Sequence, residues 1–356
     1  MPNQGIGGIA AIDDFVVVSS RDRADQQDVF TCLDAGTGLA FWQFSYLASG
    51  ELDYGNSPRA TPLIADPYVI VQGAFGDLHC LDLETGDVVW QKNMIQDLDG
   101  KLPQWGYSAS PLVIDNHLIV QPGGVDSSIV ALSLQSGEVV WKTPGREAAY
   151  ASLVKSEVGG RTQVIGFDAK TVSGWDVNSG ERLWEVQPAI KNDFNVPTAV
   201  LVENGIVLTS ENNATRIHYF ESNGHLQKEP AAEFQDMAGD SHTPVRLGQY
   251  LVGVDRELYV LDLKKDLALA AKFSDKSLND YCSLIACKDR VLVTCNNGDV
   301  ILLRMGEGKI EERGRLKLSA KSAQILAHPA MSGTTYFVRL AKGIEAWDLS
   351  DALVAP

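Results

Sequence analysis

The sequence predicts an all-β fold, an eight-bladed β-propeller of four-stranded antiparallel blades with a thin or three-stranded, incomplete last blade, as a single domain over residues 1–356. Three observations predict it. One phrase recurs: CLDAGTGLAFW at 32–42, CLDLETGDVVW at 80–90, ALSLQSGEVVW at 131–141 and GWDVNSGERLW at 174–184. The closing tryptophans Trp42, Trp90, Trp141 and Trp184 are 48, 51 and 43 residues apart, and periods of about 40–50 residues with four strands each mark propeller blades. No stretch carries helical periodicity of useful length.

Each element has its own reason. The runs PYVIVQG (67–73), NHLIVQPG (116–123) and GIVLTSE (205–211) are rich in Val, Ile and Leu, as strands buried on both faces are. Within the phrase, Asp34, Asp82 and Asp176 are placed to accept from turn amides. Gly38, Gly86, Gly137 and Gly180 supply the positive φ that closes a short hairpin. The tryptophan is expected to pack where one sheet meets the next. Weaker copies at 218–226, 259–267, 301–309 and 345–353 keep strand and turn but not the closing tryptophan, which brings the count to eight units of about 44 residues. The chain opens on an innermost strand and ends after a third, so the final blade is expected to be three-stranded unless Met1–Gly5 or a segment upstream completes it.

Composition narrows function. With 46 acidic against 30 basic residues the net charge is −16, which disfavours nucleic acid and anionic membranes. No apolar run is long enough to span a bilayer, and MPNQGIGGIAAIDDF does not read as a signal peptide. Met1 as the true start would make the protein cytoplasmic. Cys32 and Cys80 fall where Ala131 and Gly174 also fall, so they read as small buried residues. His79 and His218 read as strand-packing residues at the place of Thr31, Val130 and Tyr259. No metal site is assigned. GIGGIA at 5–10 lacks a preceding strand and is not a dinucleotide loop, and DLDG at 97–100 lacks the ligands that would complete a calcium loop.

The phrase Ala/Cys-Leu-Asp-x-x-Thr/Ser-Gly-x-x-x-Trp, with YGNSPRATPLI (54–64) and WGYSASPLVIDNHLIVQPGG (105–124), resembles the repeat of the PQQ-like (pyrroloquinoline-quinone-type) eight-bladed propellers, close to bacterial PQQ-binding-like repeat proteins of unassigned activity. The resemblance implies export to the periplasm. It also implies one of two functions. The first is a non-catalytic scaffold, as in the lipoprotein of the outer-membrane β-barrel assembly machinery. The second is a PQQ- and calcium-dependent dehydrogenase acting on alcohols or sugars. No residue can be matched to that enzyme's catalytic aspartate or calcium ligands, and no adjacent cysteine pair exists. The reading therefore favours a non-catalytic, monomeric binding protein whose partner is a protein or a small ligand, a saccharide among them. Loops entering the innermost strands would form its site at the channel mouth: Tyr54, Asn56, Arg59, Trp105 and Tyr107, joined by Phe75 and Asp77 and, further round, by Tyr150, Asn195, His242 and Tyr281. An arginine among aromatics suits an anionic or planar ligand. Alternatively Arg59 pairs with Asp77 and Trp105 caps the core.

Overall fold

A computed structural model describes residues 5–306, 308–318, 324–341 and 343–351. It is an all-β, eight-bladed propeller of antiparallel sheets, with a short 3-10 helix, Lys276–Leu278, among the described residues. The first sheet is Ala10–Ile12, Phe15–Arg21, Gln27–Asp34 and Ala40–Leu47; the second is Leu63–Ala65, Tyr68–Gln72, Asp77–Asp82 and Val88–Asn93. The third lies within 112–143, and the fourth is Val154–Val158, Arg161–Phe167, Val172–Asp176 and Arg182–Val186. The fifth is Val200–Val202, Gly205–Ser210, Ala214–Tyr219 and Ala232–Phe234, and the sixth and seventh lie within 245–273 and 282–317. The eighth is Ala330–Ser332, Thr335–Leu340 and Gly343–Asp348. Sheets one to three group with the eighth in one compact unit, and sheets four to seven form another. No helix among the described residues is long and apolar enough to cross a membrane.

The recurrent phrase explains the hairpin in each of the first four sheets. The amides of Gly38, Gly86, Gly137 and Gly180 donate to the carbonyls of Asp34, Asp82, Ser133 and Asp176, four residues back, at 2.8–2.9 Å. Each glycine has φ between 70° and 77°, where a Cβ is strained. Asp82 Oδ1 accepts from the Glu84 and Thr85 amides at 3.0 and 2.8 Å, and Asp34 and Asp176 do the same work. Strand register then shifts by one residue beside every turn.

The tryptophan and the glycine are two halves of one contact. Trp42 Nε1 donates to Leu83 O, and Trp90 Nε1 to Leu134 O, both at 2.8 Å and both in the following sheet. The indole lies on that sheet's turn: a Cβ on Gly86 would come 2.6 Å from Trp42 Cδ2, and one on Gly137 2.7 Å from Trp90 Cδ2. The fourth sheet departs from this. Trp184 Nε1 donates to Gln163 Oε1 at 2.8 Å, and Gln163 Nε2 passes the bond on to Gly224 O of the fifth sheet at 3.1 Å. The turn there closes on Glu221, three residues before its glycine rather than four, so the carbonyl is presented differently.

The eighth sheet has three strands among the described residues, and Gly343–Asp348 pairs only with Thr335–Leu340. Of Met1–Gly5, expected as one source of a closing strand, Met1–Gln4 lie outside the described residues. Register makes Ala346 the equivalent of Cys32, Cys80 and Ala131, which face a tryptophan across the ladder. Those three are fully buried, whereas Ala346 is exposed. Open space surrounds the Cβ direction of Gly38, and a cavity of about 360 Å³ lies between Val16, Leu33, Gly38, Phe337, Ile344 and Ala346.

Charge is buried between the first and second sheets. Arg21 and Asp28 are 2% and 0% exposed and bond at 2.9 Å; Tyr46 Oη donates to the other Asp28 oxygen at 2.9 Å. The Tyr46 and His79 rings lie 4.4 Å apart, with Phe44 edge-on to His79 at 4.9 Å. Burial pushes the Asp28 carboxyl up to about 6 against the pull of Arg21 and Tyr46. Burial pushes the His79 ring down to about 4.

Two predictions follow from this packing. Trp42→Ala is expected to cost about 3–5 kcal/mol in urea unfolding. Gly86→Ala should cost less in that background than alone, because the indole it meets is gone. Between about pH 4 and 6 the native state keeps a proton on Asp28 that the unfolded chain has released, so this contribution falls as pH rises. Up to about pH 6.5 the unfolded chain holds a proton on His79 that the native state lacks, so that contribution rises. The two oppose. Asp28→Asn should unmask a gain in stability on the order of 2–3 kcal/mol from pH 4 to 6.5, and His79→Phe a loss of similar size, in denaturant titrations across that range.

Candidate functional site

The loop before the second sheet, residues 48–60, carries three of the expected residues on a frame made by their own side chains. Arg59 donates to the carbonyls of Ser57 at 3.1 Å, Asp53 at 2.6 Å and Gly55 at 2.9 Å. Asn56 accepts from the Leu52 amide at 2.9 Å and donates to Asp25 Oδ2 at 2.7 Å. Asp25 in turn receives Arg21 Nε at 2.9 Å, while Arg21 Nη1 reaches Ala48 O at 2.9 Å. The loop is thus tied at both ends to a buried guanidinium. Tyr54 stands at its tip, 84% exposed, with φ 65°, a conformation unfavourable for a tyrosine and held by the surrounding bonds.

Phe75 covers the same loop: a Cβ on Gly50 would lie 2.1 Å from its Cε1, so only glycine admits the ring. Asp77 accepts from Asn93 Nδ2 at 3.1 Å, and burial pushes its carboxyl up. Tyr107 is buried and donates to Pro122 O at 2.9 Å, so its phenol, raised by burial, holds the loop at 94–108. Trp105 is half-buried on that loop.

In the second compact unit the remaining four residues fall into two groups. Asn195 is buried with φ 54°; its Nδ2 donates to Asp168 O at 3.1 Å and its carbonyl accepts from the Ala151 amide at 2.9 Å. It fixes the entry to the fourth sheet, beside half-buried Tyr150. His242 and Tyr281 stack at 5.6 Å and 22°, both half-buried. Burial lowers the His242 ring and raises the Tyr281 phenol to about 12, so this pair is neutral near pH 7.

Arg59 and Asn56 are brought together with Tyr54, and His242 with Tyr281. The polar groups of Arg59 and Asn56 are spent on backbone and on Asp25, whereas both ring nitrogens of His242 are buried without a hydrogen-bond partner among the described residues. Among the described residues no three His, Cys, Asp or Glu side chains gather as a metal ion requires. Sequence reading missed Arg21 and Asp28, although each sits at the end of an apolar strand run, FVVVSSR and DVFTC, where a charge is unexpected.

The family of outer membrane protein assembly factor BamB matches residues 4–267. Outer membrane protein assembly factor BamB of Yersinia pestis is 23% identical over 305 residues, covering 83% of this chain and 70% of that protein. Quinoprotein alcohol dehydrogenase PedH of Pseudomonas putida is 26% identical over 186 residues, but these make up 46% of this chain and 28% of the enzyme. The crystal structure of BamB from Moraxella catarrhalis superposes with a TM-score of 0.61 at 20% identity, covering 85% of this chain and 83% of that one. The chain belongs to the outer membrane protein assembly factor BamB family of PQQ-like repeat propellers.

Proposed function

We propose that this protein is a non-catalytic scaffold that binds a protein partner in outer-membrane protein assembly, outside the cytoplasm. One observation carries the reading: Tyr54, 84% exposed and strained, on a loop that Arg59, Asn56 and buried Arg21 hold rigid. A rigid, exposed aromatic loses little entropy on contact and is the residue type that anchors interfaces. The family match supports it. Phe75, Trp105 and Tyr107 build the support behind that surface, and Tyr150, Asn195, His242 and Tyr281 play the corresponding part in the second unit.

The similarity to PedH favours a second reading, a dehydrogenase using PQQ and calcium. A quinone with calcium needs several converging oxygen ligands and an open planar face. Here Asp77 is bound to Asn93, Asn195 donates to a carbonyl and Arg59 to three carbonyls. These residues do not fit that pair.

A photo-crosslinking phenylalanine analogue at position 54, in the source cells, should capture a component of outer-membrane protein assembly. Arg59→Met, expected to cost about 0.5–1.5 kcal/mol by removing its bonds to the loop carbonyls, should weaken that capture. Turnover of alcohols or sugars with an artificial electron acceptor, after loading with PQQ and calcium, would overturn the scaffold reading.

A further inference from the structure

The slot between neighbouring sheets is not filled the same way everywhere. Between the first and second sheets it holds Phe44, Tyr46 and His79, packed as described. Strand pairing identifies the equivalents between the fourth and fifth. Cys32 faces Trp42 as Gly174 faces Trp184, so Val186 stands where Phe44 does and Pro188 where Tyr46 does. Val69 faces Leu81 as Ile206 faces His218, so Arg216 stands where His79 does, two residues before the position expected for a histidine from the sequence.

Two aromatic rings are thus replaced by a valine and a proline, and a cavity of about 480 Å³ opens. Phe167, Val172, Val186 and Leu208 give it an apolar side with Arg216 at its base, and Glu185, Lys228, Glu229 and Glu233 also line it. Arg216 is only 5% exposed, yet its Nε and Nη1 have no hydrogen-bond partner among the described residues. Its cross-strand neighbour Glu233 instead accepts from Gln235 Nε2 at 2.9 Å. His218 beside it is held through Nδ1 to Gln227 O at 3.0 Å, and burial keeps its ring neutral, so Arg216 is the cation at the base, with Asp193 and Glu233 acting on it through space and not through a hydrogen bond. A buried guanidinium with idle donors is strongly unfavourable unless something fills them. The fork of a guanidinium matches a carboxylate.

We propose that this cavity binds a small aromatic carboxylate, Arg216 holding the carboxylate and the ring occupying the place that Phe44 and Tyr46 fill between the first two sheets. The site shares no residue with the docking loop around Tyr54 and stands whether or not that reading does.

Calorimetry and thermal melting of the whole chain with 1-naphthoate, benzoate, benzamide and inorganic phosphate test it. Naphthoate and benzoate should bind with Kd below about 1 mM and raise the melting temperature. Benzamide lacks the charge and phosphate lacks the ring, so each should bind at least about tenfold more weakly. Arg216→Met should lose that binding while melting no lower than the ligand-free wild type, since it removes an unpaired buried charge. Val186→Phe should fill the slot and abolish binding with the fold retained. Absence of carboxylate binding, equal binding of benzamide, unchanged binding by Arg216→Met, or a melting temperature for Arg216→Met well below wild type would each overturn the proposal.

Discussion

The contact on which the first sheets depend is an indole laid across the turn glycine of the next sheet. A sheet of three or four short strands cannot bury its own faces, so each must be sealed by its neighbour. Trp42 and Trp90 do this with a ring that removes about 150–250 Å² from water, worth about 4–6 kcal/mol at the usual coefficient. The bond from Nε1 to Leu83 or Leu134 adds only about 0.5–1.5 kcal/mol net. Burial therefore supplies the energy, and the hydrogen bond sets the register in which the ring lies. The glycine is constrained twice over, by its positive φ and by the ring above it.

Where the contact is absent the consequences are local and readable. The eighth sheet has no tryptophan-bearing fourth strand among the described residues; Ala346 is exposed where its equivalents are sealed, and a void stands over Gly38. Where the contact is altered, it is relayed. Gln163 stands between Trp184 and Gly224 O, accepting from one and donating to the other. The amide can do both, so the indole still bonds toward the next sheet although the turn there has changed.

This explains which parts of the molecule could be read from the chain. The four copies ending in Trp42, Trp90, Trp141 and Trp184 were legible because both partners of the contact recur at a fixed spacing. The weaker copies at 218–226, 259–267, 301–309 and 345–353 kept the strand and the turn, which was enough to count sheets. The candidate loops were legible as long insertions, but not the way their polar groups are used: nothing in the sequence shows that Arg59 turns back on its own loop or that His242 lies on Tyr281. Arg21 and Asp28 were missed because a charge in an apolar strand is ordinarily read as solvated. Their burial depends on pairing with each other and on Tyr46 from a strand further along.

The two slots show how one fold turns a core position into a site while the strand register is kept. Phe44, Tyr46 and His79 fill the first slot and bring two opposing titrations with them; Val186, Pro188 and Arg216 leave the other open. The strand register carries over, so side-chain volume and charge at these positions account for the open slot, although the strand ends at Val186 and the following sheet's turn differs. Filling a slot with rings is the stable solution, and an unpartnered guanidinium beside a void is a departure from it. Local departures from good packing in an otherwise consistent fold concentrate at functional positions. The fourth and fifth sheets combine a relayed indole, a void and an idle buried cation within one interface, which makes that interface the part of the second unit least explained by stability alone.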